Sequence, residues 1–110
     1  MTGTTVFEMQ ARLCKAISHA TRLEIVHVLR EGPKSVSELV LATGFSQANI
    51  SRHLSTLRNI GVVTAQRQPH EIIYQIANPK ITAVCDLMRQ VLAEQAAHCS
   101  TLSHMCRILM

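Results

Sequence analysis

Thiols and imidazoles crowd the end of the chain, where HCSTLSHMC places Cys99 and Cys106 seven residues apart with His98 and His104 beside them; Cys14 stands near the other end. Thiolates with imidazole neighbours are the donor set of soft metal ions and metalloids such as As(III). Geometry restricts their use. Seven residues of unbroken helix rise about 10.5 Å, whereas two thiolates at ~2.3 Å from one ion lie no more than ~4.6 Å apart. Cys99 and Cys106 of one straight helix therefore cannot share an ion. They meet one only if the chain bends at residues 100–103, a stretch poor in helix formers, or if Cys14 or a second chain supplies the neighbouring thiol. Packing competes with sensing here: Ile81, Cys85, Met88, Leu92, Gln95, Cys99, Leu102, Cys106 and Leu109 follow steps of four and three. That is a heptad seam, in which free cysteine behaves as a small hydrophobe. Histidines on such a polar tail are more often solvated than bound.

A second group of polar residues sits mid-chain in SQANISRHLSTLR. With Ile50, Leu54 and Leu57 turned inward, Gln47, Ala48, Ser51, Arg52 and Ser55 fall on the opposite side, with Asn49 and His53 on the flanks. Gln can bridge adenine through two hydrogen bonds, and Arg can take guanine O6 and N7 or a phosphate oxygen. Serines and the helix N-terminus position phosphates. Taken singly, each of these side chains also suits a plain solvated helix face.

The elements that must position them are legible from periodicity. Residues from about 4 to 18 have helical character, with Phe7, Leu13, Cys14 and Ile17 recurring and Thr4 or Thr5 as cap. TRLEIVHVLREG predicts a buried second helix ended by Gly32-Pro33. Ser35 followed by Glu38 is a capping-box pattern opening a short helix over about 36–43. Gly44 supplies a tight turn, and a further helix runs from Ser46, its N-cap, to just before Gly61. This spacing fits a helix-turn-helix, whose second helix enters the major groove. The β-branched runs VVTAQR and IIYQIA, joined by Gln68-Pro69-His70-Glu71, predict a hairpin with Arg67 near its tip. From about 80 to 98 the chain is helical again. The expected class is mainly α with a small β-hairpin, and no linker-like boundary divides residues 1–110 into more than one domain.

Composition narrows the function. The 110 residues carry a net charge of +4, a balance that suits a polyanion, but one Tyr, two Phe and no Trp argue against base stacking. No unbroken apolar leader or membrane-length run is present, and the four cysteines form no C-x-x-C, so a cytoplasmic protein with reduced thiols is expected. Nucleotide loops, H-E-x-x-H and nucleophile elbows are absent, so an enzyme is not expected. A thiol oxidoreductase or metal-transfer protein is the weaker alternative, since no C-x-x-C is present. A winged helix serving only as a protein-interaction module is another.

Over residues 15–76, TRLEIV, SVSEL, SQANISRHLSTLR, the G-V-V strand start and the closing I-Y-Q-I strand occur in the order found in the ArsR-type family of winged-helix repressors, which the chain closely resembles. The resemblance implies a winged helix-turn-helix, dimerised through its first and last helices, in a cytoplasmic homodimer that binds double-stranded operator DNA with inverted half-sites and leaves it when an inducer binds. It carries the DNA-reading positions onto Gln47, Ala48, Asn49, Ser51, Arg52 and His53, with Arg67 as the wing contact; Ser55 joins them on the exposed face.

The sensing residues of that family are not all here. Many arsenic- and cadmium-sensing relatives carry C-x-C in the helix before the recognition helix, where this chain has Ser35 and Ser37, and a hydroxyl does not replace a thiolate for a soft metal. Of the zinc-sensing set only Glu94 remains, beside Asn78, Lys80 and Val91. The persulfide-sensing pair of cysteines falls on His27 and about Ala93, and His27 is expected to be an ordinary partly buried histidine. A thiol-reactive inducer, most plainly a soft metal or metalloid such as arsenite acting on Cys99, Cys106 and then Cys14, is the expectation; no resident cofactor is required. The alternatives are a redox- or sulfur-responsive repressor and cysteines that only pack.

Overall fold

The computed structural model describes residues 5–98. In chain order it contains α1 (Val6–Ile17), α2 (Ala20–Leu29), β1 (Lys34–Ser35), α3 (Val36–Thr43), α4 (Gln47–Asn59), β2 (Val63–Arg67), β3 (Ile72–Ile76) and α5 (Pro79–His98). Local chemistry sets most of these boundaries. The Thr5 hydroxyl accepts from the Glu8 N–H at 3.1 Å and starts α1. Ser35 and Glu38 form the expected capping box at the head of α3: the Ser35 hydroxyl accepts from Glu38 N at 3.2 Å, and Glu38 Oε1 accepts from Ser35 N at 2.9 Å. That backbone hydrogen bond holds the Glu38 carboxyl below its ordinary range. Gly44 ends α3 at φ +79°, a left-handed conformation that glycine adopts without a Cβ clash.

The α2 start was not legible. Its cap is His19, whose Nδ1 accepts from Thr21 N at 3.2 Å, a role usually given to a short oxygen-bearing side chain. The sheet also differs from the expected hairpin by one strand. β2 and β3 pair from Val63↔Ile76 to Arg67↔Ile72, and β1 adds to the other edge of β3 through Lys34↔Tyr74 and Ser35↔Ile73. Two residues are too short to show a period of two, and Ser35 had already declared itself as a cap.

One aliphatic core joins the helices to the sheet. Ile25, Val26 and Leu29 of α2, Leu39 of α3, Ile50, Leu54 and Leu57 of α4, Val62 and Val63 at the wing, and Cys85 of α5 are all buried in it. Burying side chains of this size yields roughly 1.5–3 kcal/mol each, so this cluster fixes α4 against α2 and α3. Arg30 at the end of α2 reaches Asp86 of α5 with Nη1 at 3.0 and 2.9 Å from the two carboxylate oxygens, and Arg89 pairs with the same carboxylate. Among the described residues, no helix is long and apolar enough to cross a membrane.

Among the described residues, α5 leaves apolar surface uncovered. Of the expected seam, Cys85 is buried and Ile81 partly so, while Met88 and Leu92 remain exposed within the single chain. Gln95 is also exposed. The seam positions Cys99, Leu102, Cys106 and Leu109, and residues 100–103, where a bend would let two thiols meet, lie outside the described residues.

Candidate nucleic-acid interface

The turn between α3 and α4 is held by its own side chains. Thr43 Oγ1 donates to Leu39 O at 2.7 Å and accepts from Phe45 N at 3.3 Å, which carries the chain out of α3. Ser46 then caps α4, its hydroxyl accepting from Asn49 N at 3.1 Å. With that cap made within the chain, the remaining N-terminal amides of α4 and its positive dipole end are free to favour an anion.

Gln47, Ala48, Ser51, Arg52 and Ser55 are exposed on α4, and Asn49 is half-buried at their edge. Asn49 Oδ1 accepts from Arg52 Nη2 at 2.8 Å, which steadies the guanidinium over the first turns of the helix. A guanidinium has five donors, so this bond leaves a fork available for a base edge or a phosphate. At the wing, Gln68 N donates to Glu71 O at 2.8 Å and closes the β2–β3 turn, with exposed Arg67 as the last residue of β2. Between α4 and the wing lies a cleft of about 300 Å³, lined by Gln47, Ser51, His70, Glu71 and Tyr74 among others. The first turns of α4 and the wing thus border one cleft, while Arg52 on α4 and Arg67 at the end of β2 are exposed outside its lining.

His53 does not belong to that face. It is 3% exposed, and its Nδ1 accepts from Arg22 Nε at 3.1 Å across from α2, so its expected place as a DNA contact is corrected. The physical reason is its position at the edge of the apolar stripe, between Ile50 and Leu54, where the helix turns it into the domain. Burial and the neighbouring His19, Arg22 and Arg52 push its pKa down from the ordinary histidine value. Sequence reasoning passed over Arg22 altogether; its partners are far away in the chain, and only the fold brings them together.

Two of the four cysteines, Cys14 and Cys85, fall within the described residues. Cys14 is exposed on α1 and Cys85 is buried, where desolvation pushes its thiol pKa up and keeps it protonated. Cys99 and Cys106, with His104, lie outside the described residues. Among the described residues no three His, Cys, Asp or Glu side chains are grouped so as to hold a metal ion. Ser35, at one of the positions where soft-metal sensors carry a thiol, is committed to the α3 cap. His27 is exposed, not partly buried as expected, and lies on the rim of an apolar groove of about 460 Å³ between α2 and α5.

Comparison with known proteins agrees with this architecture. Residues 19–65 match the family model described as bacterial regulatory protein, arsR family. An uncharacterized HTH-type transcriptional regulator of Mycobacterium tuberculosis, Rv0081, is 35% identical over 94 residues, 84% of this chain and 82% of that relative. Its crystal structure superposes with a TM-score of 0.75, covering 84% of this chain and 94% of that one. The solution structure of a homodimeric winged helix-turn-helix DNA-binding domain from Mycobacterium bovis, Mb0332, also gives a TM-score of 0.75 at 28% identity, over 91% of this chain and 97% of that one. A probable mercury resistance operon repressor of Streptomyces lividans is 32% identical over 79% of this chain and 70% of its own length. With α4 capped by Ser46, a wing beside it and relatives matched over most of their length, the chain belongs to the ArsR family of bacterial DNA-binding transcriptional regulators.

Proposed function

We propose that this protein is a homodimeric repressor that reads an operator with Gln47, Ala48, Asn49, Ser51, Arg52 and Ser55 of α4, braces on the flanking backbone through Arg67, and lets go when an inducer reaches its thiols. The observation that carries the DNA-reading part is the exposed polar face of α4, with Arg52 steadied by Asn49, beside a cleft that α4 shares with the wing. Gln47 suits adenine and Arg52 suits guanine or phosphate. A two-fold dimer would set two such helices about 34–36 Å apart, one turn of duplex.

Dimerisation is supported by apolar surface that the described residues leave exposed: Val6, Phe7 and Met9 on α1, and Val84, Leu87 and Val91 on α5. The homodimeric Mb0332 domain has the same fold. For the inducer, the mercury-resistance relative and the cysteines at 14, 99 and 106 favour a soft metal or metalloid such as arsenite. The absence of a three-ligand group among the described residues means that such a site needs the tail cysteines, a second chain, or both.

Gel-shift titration separates the parts. Gln47→Ala and Arg52→Ala should each weaken binding and relax sequence preference by about 1–3 kcal/mol at the contacted base. Unchanged affinity and preference in both would remove α4 as the reading element. Titrating the complex with arsenite, cadmium, zinc, persulfide and peroxide, beside Cys99→Ser/Cys106→Ser, tests the thiols; a variant that responds like wild type leaves them as packing residues.

A further inference from the structure

The reading helix is tied to the base of the domain by one guanidinium. Arg22 donates through Nε to His53 Nδ1 at 3.1 Å and through Nη1 to the Ala16 carbonyl at 2.9 Å. Ala16 lies near the end of α1, Arg22 in the first turn of α2 and His53 mid-way along α4, so three helices meet at this side chain. The His19 ring packs against His53 with centroids 4.5 Å apart and planes inclined by 49°, while its own Nδ1 caps α2. The structure thus gives His53, almost wholly enclosed, a task unrelated to touching a base.

The bond dictates the protonation state. Arginine keeps its Nε–H at any ordinary pH, so Nδ1 of His53 must present a lone pair and the ring must be neutral, with its proton on Nε2. A second proton would land on Nδ1, facing another donor, and would bury a cation against a cation. The charged or titratable groups acting on His53 are His19 at the α1–α2 turn, Arg22 on α2 and Arg52 on its own helix; α1 contributes the Ala16 carbonyl, which Arg22 already occupies. None of these welcomes the charge.

We propose that Arg22 and neutral His53 are a positioning pair that sets α4 against the α1–α2 base, and that proton uptake by His53 releases the pair and lowers affinity for DNA in acid. This rests on the DNA-reading role of α4. Burial and the three neighbours already lower the histidine's pKa, so the pair stays intact at neutral pH and the loss falls below the ordinary histidine range. Binding that requires the neutral ring weakens by at most roughly tenfold per pH unit for each proton taken up.

The test uses the full chain and a duplex selected by it from a randomised pool at pH 7.5. Affinity is measured by fluorescence anisotropy from pH 8 to 5 at constant ionic strength, for wild type and His53→Gln, whose amide oxygen can still accept from Arg22. Nitrogen-15 shifts of the His53 ring are followed over the same range in the free protein. Wild-type affinity should drop by roughly tenfold or more below the ordinary histidine range, in step with protonation of His53, and His53→Gln should keep near-wild-type affinity at pH 7.5 with a flatter profile. Equal acid profiles in the two proteins would overturn the proposal while leaving DNA reading intact. If His53→Gln does not fold, the ring shifts decide: an Nδ1–H tautomer at pH 7.5, or affinity lost at a pH where the ring is still neutral, overturns it. Failure of the wild type to select any duplex at pH 7.5 refutes the DNA-reading role itself, and the proposal falls with it.

Discussion

Ser35 and Ser37 stand where soft-metal sensors of this family carry two thiols, and the structure gives these two serines very different weights. Ser35 is buried and accepts from Glu38 N at 3.2 Å, while Ser37 is exposed on α3. Ser35→Ala removes the acceptor of one capping bond but leaves the reciprocal Glu38 Oε1 bond to its N–H at 2.9 Å. N-cap serine-to-alanine changes cost about 1 kcal/mol, within a span of 0.5–2. With one of two reciprocal bonds retained and the exposed Glu38 end open to water, about 1 kcal/mol is the expected loss, equivalent to roughly 4–8 °C in Tm for a domain of this size. Ser37→Ala, in contrast, changes an exposed helical position to a better helix former and should stay within about 0.5 kcal/mol of wild type. Urea unfolding at fixed protomer concentration, so that dimerisation does not move the midpoint, measures both. A Ser35→Ala midpoint indistinguishable from wild type, or a Ser37→Ala loss as large as that of Ser35→Ala, would refute the assignment of α3's start to this capping box.

Three other outcomes follow from the same structure. Leu54→Ala empties a fully buried site in α4 and should cost about 2–5 kcal/mol in urea unfolding; a loss under 1 kcal/mol would mean that α4 is not anchored through this core. Leu87→Glu places a charge on the outer face of α5 and should shift the protein from dimer to monomer in sedimentation velocity while leaving its helical circular dichroism unchanged. Arg67→Ala should reduce the slope of log K against log salt by about 1 per chain without altering sequence preference, because a wing arginine that contacts phosphate releases a counterion and reads no base.

Much of the local structure was legible because it is decided locally. The Ser35–Glu38 box, the Ser46 cap and the Gly61 stop each involve residues within a few positions of one another, and the helices of the structure begin and end close to those signals. β1 was not legible, since a two-residue strand exists only through Tyr74 and Ile73, almost forty residues later. His53 is the instructive case. Ile50, Leu54 and Leu57 set the buried stripe of α4, and periodicity leaves His53 on its flank, where spacing decides neither burial nor exposure. Its polar identity and the family's reading positions argued for the surface, and the distant Arg22 that satisfies it inside has no local signature. The exposed face from Gln47 to Ser55 was legible from the same periodicity, as the complement of the apolar stripe.

The apolar residues of α5 make the same point about what a single chain can specify. A heptad through Ile81, Cys85, Met88 and Leu92 describes one stripe, yet 58% of Leu87 and half of Val91 are also exposed, on positions outside that stripe. α5 is therefore apolar on more than one side, which a helix bordering only its own domain does not need. One side closes against α2 and Ile25's core through Cys85. The others, with Val6 and Phe7 of α1, are left exposed among the described residues, and burial of such surface contributes roughly 25 cal/mol per Å². The proposed homodimer is an arrangement that uses them, and in it the guanidinium that holds both Ala16 of α1 and His53 of α4 links the proposed dimer interface to the proposed reading helix. A change in how two chains pack through α1 and α5, whether made by an inducer at the thiols or by mutation, then has a direct mechanical route to the reading helix. Leu87→Glu should accordingly lose operator affinity along with dimerisation, and an undiminished affinity in a monomeric Leu87→Glu protein would show that each α4 reads DNA on its own.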